Sequence, residues 1–159
     1  MWIMLAIFCL FSYLLGSIPT GYWMGLMVKR IDIRTVGSKN IGATNVFRVL
    51  GRRYGILVLV LDILKGLIPV IAARIYFPHE FQIVWILVGM AAVYGHTCTI
   101  FLRLSAESQK MIAEAKAEHT FCFLDYIVMV IFFRFNGGKG VATSLGVFLG
   151  LAPIPVLIV

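Results

Sequence analysis

A chain of 159 residues that is 61% apolar, with a mean hydropathy of +0.98, exceeds the roughly 45–50% apolar content of a soluble domain and is too short to bury the surplus in water. Its three cysteines (Cys9, Cys98, Cys122) are scattered and lack metal-ligand spacing, so they read as small hydrophobes. The net charge of +7 reads as basic loops on the inner side of a membrane before it reads as a nucleic-acid surface, because it is concentrated between apolar runs.

Long apolar runs without strict alternation select transmembrane helices, which satisfy their own backbone groups in hydrocarbon. The expected fold is therefore all-α: a polytopic transmembrane helical protein with re-entrant or half-helix cytoplasmic loops, forming one membrane domain over 1–159. The first span runs over 1–27, almost wholly apolar from Met1 to Ile18, with Pro19 and Gly21 able to kink its end. It has no basic leader, so it resembles a first span more than a cleaved signal.

Between Lys29 and Arg53 stand seven basic residues (Lys29, Arg30, Arg34, Lys39, Arg48, Arg52, Arg53) against one acid, Asp32. That asymmetry predicts a cytoplasmic loop and an N-terminus outside. Further spans are expected at 55–76, 82–103 and 141–159, the last interrupted by Pro153 and Pro155. The polar stretch from Ser105 to His119 reads as a surface helix. The apolar segment Phe121–Phe133 contains Asp125 and falls short of the ~20 residues a span needs, so an interfacial or re-entrant helix is expected. Ile100–Leu104 (IFLRL) is echoed by Ile131–Phe135 (IFFRF), consistent with an insertion over 105–134.

Three constellations can carry chemistry. The first runs from Gly37 to Arg48: Gly37-Ser38-Lys39-Asn40-Ile41-Gly42-Ala43-Thr44-Asn45-Val46-Phe47-Arg48. A helix starting near Asn40 would place Thr44 and Arg48 one turn apart on one face, with Asn45 alongside and Ser38 before its N-terminus, an arrangement that suits an anion. The second is Asn136-Gly137-Gly138-Lys139-Gly140-Val141-Ala142-Thr143, where glycines admit a phosphate to the backbone and Lys139 supplies a point charge. It is not a nucleotide-binding P-loop, because Gly140 follows Lys139 where that motif needs Ser or Thr.

The third is Asp62 with Lys65, three apart in an apolar run, where charges are costly and face protein interior. A structural ion pair is the simpler account of them. His96, beside Gly95, could donate to an anion or serve the fold alone. No histidine is followed five residues later by aspartate, and no GxSxG or HExxH occurs. Chemistry with neither a metal nor a cofactor is expected.

These motifs, together with Gly16-Ser17-Ile18-Pro19-Thr20-Gly21-Tyr22 and Leu61-Asp62-Ile63-Leu64-Lys65-Gly66, resemble in content and order the bacterial acyl-phosphate:glycerol-3-phosphate acyltransferases of the PlsY type. The resemblance covers Met1 to about Leu104 and Phe135 to Val159. It implies transfer of an acyl group from acyl phosphate to glycerol 3-phosphate, giving lysophosphatidic acid and phosphate, in phospholipid biosynthesis at the inner membrane. It implies Ser38, Arg48, Lys139 and His96 as catalytic residues. Gly37, Asn40, Gly42, Thr44, Asn45, Gly137, Gly138, Gly140 and Thr143 would form the substrate site.

The implied partners are the two substrates, membrane lipid and the enzyme that makes the acyl phosphate; no nucleic acid is implied. Three departures from the family pattern stand out: the extra segment over 105–134, a lysine at 39 where glycine is common, and the family's C-terminal motif with His and Asn three apart, which is missing. On that pattern the chain is expected to be an incomplete version with activity in question. The alternative is a small membrane transporter or binding protein for a phosphorylated solute.

Overall fold

The computed structural model describes residues 1–77, 82–102 and 137–151. All regular structure among them is helical: α1 (Trp2–Ser17), α2 (Thr20–Lys29), α3 (Ala43–Leu50), α4 (Arg52–Tyr76), α5 (Gln82–Thr97), a 3₁₀ turn (Ile100–Leu102) and α6 (Val141–Leu151). Trp2–Lys29, Arg52–Tyr76 and Gln82–Leu102 are long and apolar enough to cross a bilayer. Their outer faces carry large apolar side chains such as Trp2, Leu10, Leu57, Ile75, Ile86 and Met90, as suits helices whose solvent is lipid. The expected segment 105–134 and the end of the expected last span lie outside the described residues.

Helix pairing rests on small residues. Gly16 packs against the Ala92 backbone and Gly95 against the Tyr13 backbone, so α1 and α5 run parallel and in close contact. Ser12 donates to the Val88 carbonyl at 2.6 Å across the same seam. Gly66 meets Thr143 and Val147, and Gly146 meets Ile63 and Leu67, which sets α6 parallel to α4. Packing through missing side chains is the common solution where lipid supplies no hydrophobic drive. Helix α4 runs antiparallel to α5, with Val70 near Gly89 and Asp62 near His96. The start of α6 therefore lies at the same end of the bundle as the start of α4 and the end of α5.

The first apolar run is not one continuous helix. It breaks at Ile18–Pro19, where Pro19 can donate no hydrogen bond and Ile18 adopts an extended backbone. Two carbonyls freed there find partners on other elements: Thr99 donates from its hydroxyl to the Ser17 carbonyl, and Lys65 Nζ donates to the Ile18 carbonyl. The third apolar run likewise leaves the α-helix at Thr97, before its expected end at 103. Its Thr97 carbonyl accepts the Gly137 N–H at 3.1 Å, so the chain opens there to receive the turn that leads into α6.

Candidate active site

The basic loop is built around one side chain. Asn45, 1% exposed, accepts the Ser38 N–H on its Oδ1 at 2.8 Å. Its Nδ2 faces the carbonyls of Ile33 (2.9 Å), Val36 (3.1 Å) and Asn40 (2.8 Å). Gly37 sits at φ 63° directly over that Oδ1, where any Cβ would collide. The Asn40 Oδ1 accepts the Gly42 N–H at 2.8 Å, turning the chain into α3.

One expectation is corrected here. The helix begins at Ala43, not near Asn40, and Gly42 caps it with no side-chain bond. The helix starts late because Lys39, at φ 57°, and the Asn40 turn hold the preceding residues in a non-helical path. Asn45 is turned inward as the organiser of the loop, while Thr44 and Arg48 on the same helix are exposed.

Lys39 occupies the left-handed region, which costs a residue with a Cβ on the order of 1 kcal/mol relative to glycine. Lys39→Gly is therefore expected to stabilise the protein by about 1 kcal/mol, seen as a rise in thermal midpoint in detergent. Asp32, the one acid of the loop, is held well below the usual carboxylate range chiefly by the side-chain hydrogen bond from Arg34, whose Nη2 lies 2.6 Å away. Arg34 also stacks over Tyr22 at 4.9 Å, and Lys29 donates to the Val49 carbonyl at 2.7 Å. Those cations are engaged in the fold. Ser38, Lys39 and Arg48 remain on the exposed surface.

The glycine turn is seated on the end of α5. Gly137 lies against the His96 and Thr97 carbonyls, and Gly138 lies against the His96 ring at Nε2. Both glycines are buried, and Lys139 between Gly138 and Gly140 is exposed. Gly140 takes φ 74°, after which α6 begins and the Ser144 N–H returns to the Gly140 carbonyl at 2.8 Å. Thr143 is fully buried, facing Gly66 with its carbonyl, and its hydroxyl has no hydrogen-bond partner among the described residues.

Between the two turns runs a buried polar chain. The Asp62 carboxylate lies 2.7 Å from Lys65 Nζ and 3.9 Å from His96 Nδ1, and it accepts the Thr20 hydroxyl at 2.6 Å. Lys65 also reaches the Thr20 hydroxyl at 3.1 Å. Gly21, the next residue, packs against the Ile41 carbonyl of the basic loop. Contacts thus run from Gly138 through His96, Asp62, Thr20 and Gly21 to the loop holding Ser38 and Arg48. Thr20 was missed as a polar partner; the Pro19 break was the available signal, since it turns the following hydroxyl into the bundle.

The helical bundle and this polar end define an all-α integral membrane protein with a basic loop and a buried glycine turn as its candidate site. The family described as glycerol-3-phosphate acyltransferase matches residues 6–116 and 127–159, and the chain belongs to that family. Ten residues inside the match, 117–126, are left out of it; they fall within the 105–134 stretch.

A relative from Geotalea daltonii, named glycerol-3-phosphate acyltransferase, is 46% identical over 148 residues, covering 92% of this chain and 58% of its own. One of the same name from Fusobacterium nucleatum is 38% identical, with coverages of 97% and 63%. Crystal structures of PlsY (YgiH), an integral membrane glycerol 3-phosphate acyltransferase, are similar in fold. The lysophosphatidic acid form superposes with a TM-score of 0.67 and the glycerol 3-phosphate form with 0.66, each at 36% identity over 94% of this chain and 58% of that one. The chain thus spans about 58% of the length of such relatives.

Proposed function

We propose that the protein transfers an acyl group from acyl phosphate to glycerol 3-phosphate, giving lysophosphatidic acid and inorganic phosphate. The observation that carries this reading is the seating of the Gly137–Gly140 turn on His96, at the same end of the bundle as the exposed Ser38 and Arg48. Two anionic substrates repel each other, and a cluster of cations and backbone N–H groups offsets that repulsion. Lys139 and the backbone of Gly138 and Gly140 take the glycerol 3-phosphate, with Gly137 anchoring the turn through its N–H to the Thr97 carbonyl and Thr143 behind them. Ser38 and Arg48 take the acyl phosphate, in a loop shaped by Gly37, Asn40, Gly42, Thr44 and Asn45. The acyl chain stays among the apolar helices.

The glycerol hydroxyl oxygen attacks the acyl carbonyl carbon, the bond from that carbon to the phosphate oxygen breaks, and a phosphate oxygen takes the hydroxyl proton. An acyl phosphate is already activated, so positioning and electrostatics suffice and no covalent enzyme intermediate is required. His96 holds the glycine turn beside the reacting groups. The concentration of cations between Lys29 and Arg53 supports a multi-pass arrangement in the bacterial inner membrane, with the N-terminus outside and the site at the cytoplasmic face. There the enzyme that makes acyl phosphate can deliver its product.

The test is an assay of the purified chain in detergent with acyl phosphate. It is run alone and extended by the part of the Geotalea daltonii relative that lies beyond its match. Phosphate release that requires glycerol 3-phosphate and yields lysophosphatidic acid is expected in at least the extended form. Glycerol 3-phosphate carried unaltered into vesicles, with no phosphate released in either form, would instead make the protein a transporter.

A further inference from the structure

The buried cluster of Asp62, Lys65, Thr20 and His96 does more than neutralise its own charge. Two ionised side chains inside an apolar bundle cost several kcal/mol each to desolvate, and a pair of apolar residues would often serve stability as well. What the cluster does spatially is join three elements. Lys65 on α4 caps the Ile18 carbonyl where the first run breaks. Asp62, one turn earlier, receives Lys65 and the Thr20 hydroxyl on the same oxygen, Oδ1. That oxygen also faces His96 Nδ1 on α5 at 3.9 Å.

A carboxylate on the Nδ1 side favours the ring orientation and tautomer that turn an N–H toward it. The opposite edge of the ring, at Nε2, is the surface against which Gly138 rests. The ring is enclosed, with His96 5% exposed, so its position is set by what lies on those two sides.

We propose that Asp62 and Lys65 are positioning residues, which fix the His96 ring and through it the place of the 137–140 turn. They touch neither turn residue directly, so their effect passes through His96. The bland alternative is that the pair only caps the break at Ile18–Pro19. The two accounts differ in where damage appears. Loss of the cap alone loosens the chain around the Ile18–Pro19 break and leaves the glycine turn as it was, whereas loss of a positioning group loosens the glycine turn as well.

The experiment measures amide hydrogen exchange of the full chain in detergent for wild type, Asp62→Asn, the charge-balanced pair Asp62→Asn with Lys65→Met, His96→Ala, and His96→Ala with Asp62→Asn. The charge-balanced pair avoids a lone buried lysine and is expected to fold even where Asp62→Asn alone does not. Exchange over residues 137–143 is expected to rise about tenfold in the pair, with residues 5–14 and 84–92 unchanged. In the His96→Ala background, Asp62→Asn is expected to add less than about twofold, because the route through the ring is already cut. No change over 137–143, a uniform rise across the helices, or full additivity with His96→Ala overturns the inference.

A kinetic arm rests on the acyltransferase reading: the KM for glycerol 3-phosphate should rise about tenfold in the pair, while that for acyl phosphate stays within about twofold. If wild type transfers no acyl group, that reading fails, and the exchange data still decide the positioning role.

Discussion

Lys139→Ala is expected to lower kcat/KM for glycerol 3-phosphate about 100-fold, and Arg48→Ala to lower overall turnover by about the same factor. On the proposed assignment each change removes one charged hydrogen-bond partner from a substrate phosphate, an interaction of about 1.5–3 kcal/mol, or roughly ten- to 100-fold in rate. Both side chains are exposed at the polar end of the bundle, so neither loss opens a cavity, and thermal stability should hold. The two should differ in kinetic signature. With Lys139, flanked by the buried Gly138 and Gly140, assigned to glycerol 3-phosphate, its loss is expected to raise the KM for that substrate. With Arg48, on α3, assigned to the acyl phosphate, its loss is expected to act on the use of that substrate. Lys139→Arg should recover part of the loss, since it restores charge without the compact ammonium geometry. Initial rates over both substrate concentrations decide the matter; wild-type kinetics in both alanine variants would remove these residues from the site.

The membrane-helical class was legible because apolar runs without alternation admit few structures in lipid, and the order of the short motifs made the family legible. A kink near Pro19 was legible, but the end of one helix at Ser17 and the start of another at Thr20 were not. Nor was the interior of the basic loop. In sequence, Asn45 and Thr44 are equivalent small polar neighbours, yet one is buried with four partners around its amide and the other is exposed. Which of them faces inward depends on where α3 starts, and that depends on the left-handed Lys39 and the Asn40 turn. No periodicity within a twelve-residue block reports either. Asp62 and Lys65 were visible as a pair from their spacing. Their reach to Thr20, Ile18 and His96 joins residues more than thirty apart, and no local pattern encodes that.

Gly138→Ala is expected to lower activity about 100-fold or more while the chain still folds and inserts. A Cβ at this position would fall within 2.9 Å of His96 Cε1 and 3.0 Å of Cδ2, and closer still to Nε2. The obstruction is spatial, since Gly138 is not among the glycines with positive φ. The His96 ring is buried and faces Asp62 at 3.9 Å on its far side, so it can give only part of the space a Cβ needs. The rest of the space is expected to come from the turn, which carries Lys139 with it. A shift near 1 Å in a positioning element is worth about 100-fold in rate.

Gly140→Ala provides the contrast. Its nearest obstacle is the Thr97 Cγ2 methyl at 3.2 Å, and its penalty is mainly the φ of 74°, on the order of 1–2 kcal/mol and shared between stability and activity. Measured side by side, Gly138→Ala should lose far more activity than Gly140→Ala and Gly140→Ala more thermal stability than activity. An active Gly138→Ala with unchanged glycerol 3-phosphate KM would mean that the turn is not held against His96 while the substrate is bound.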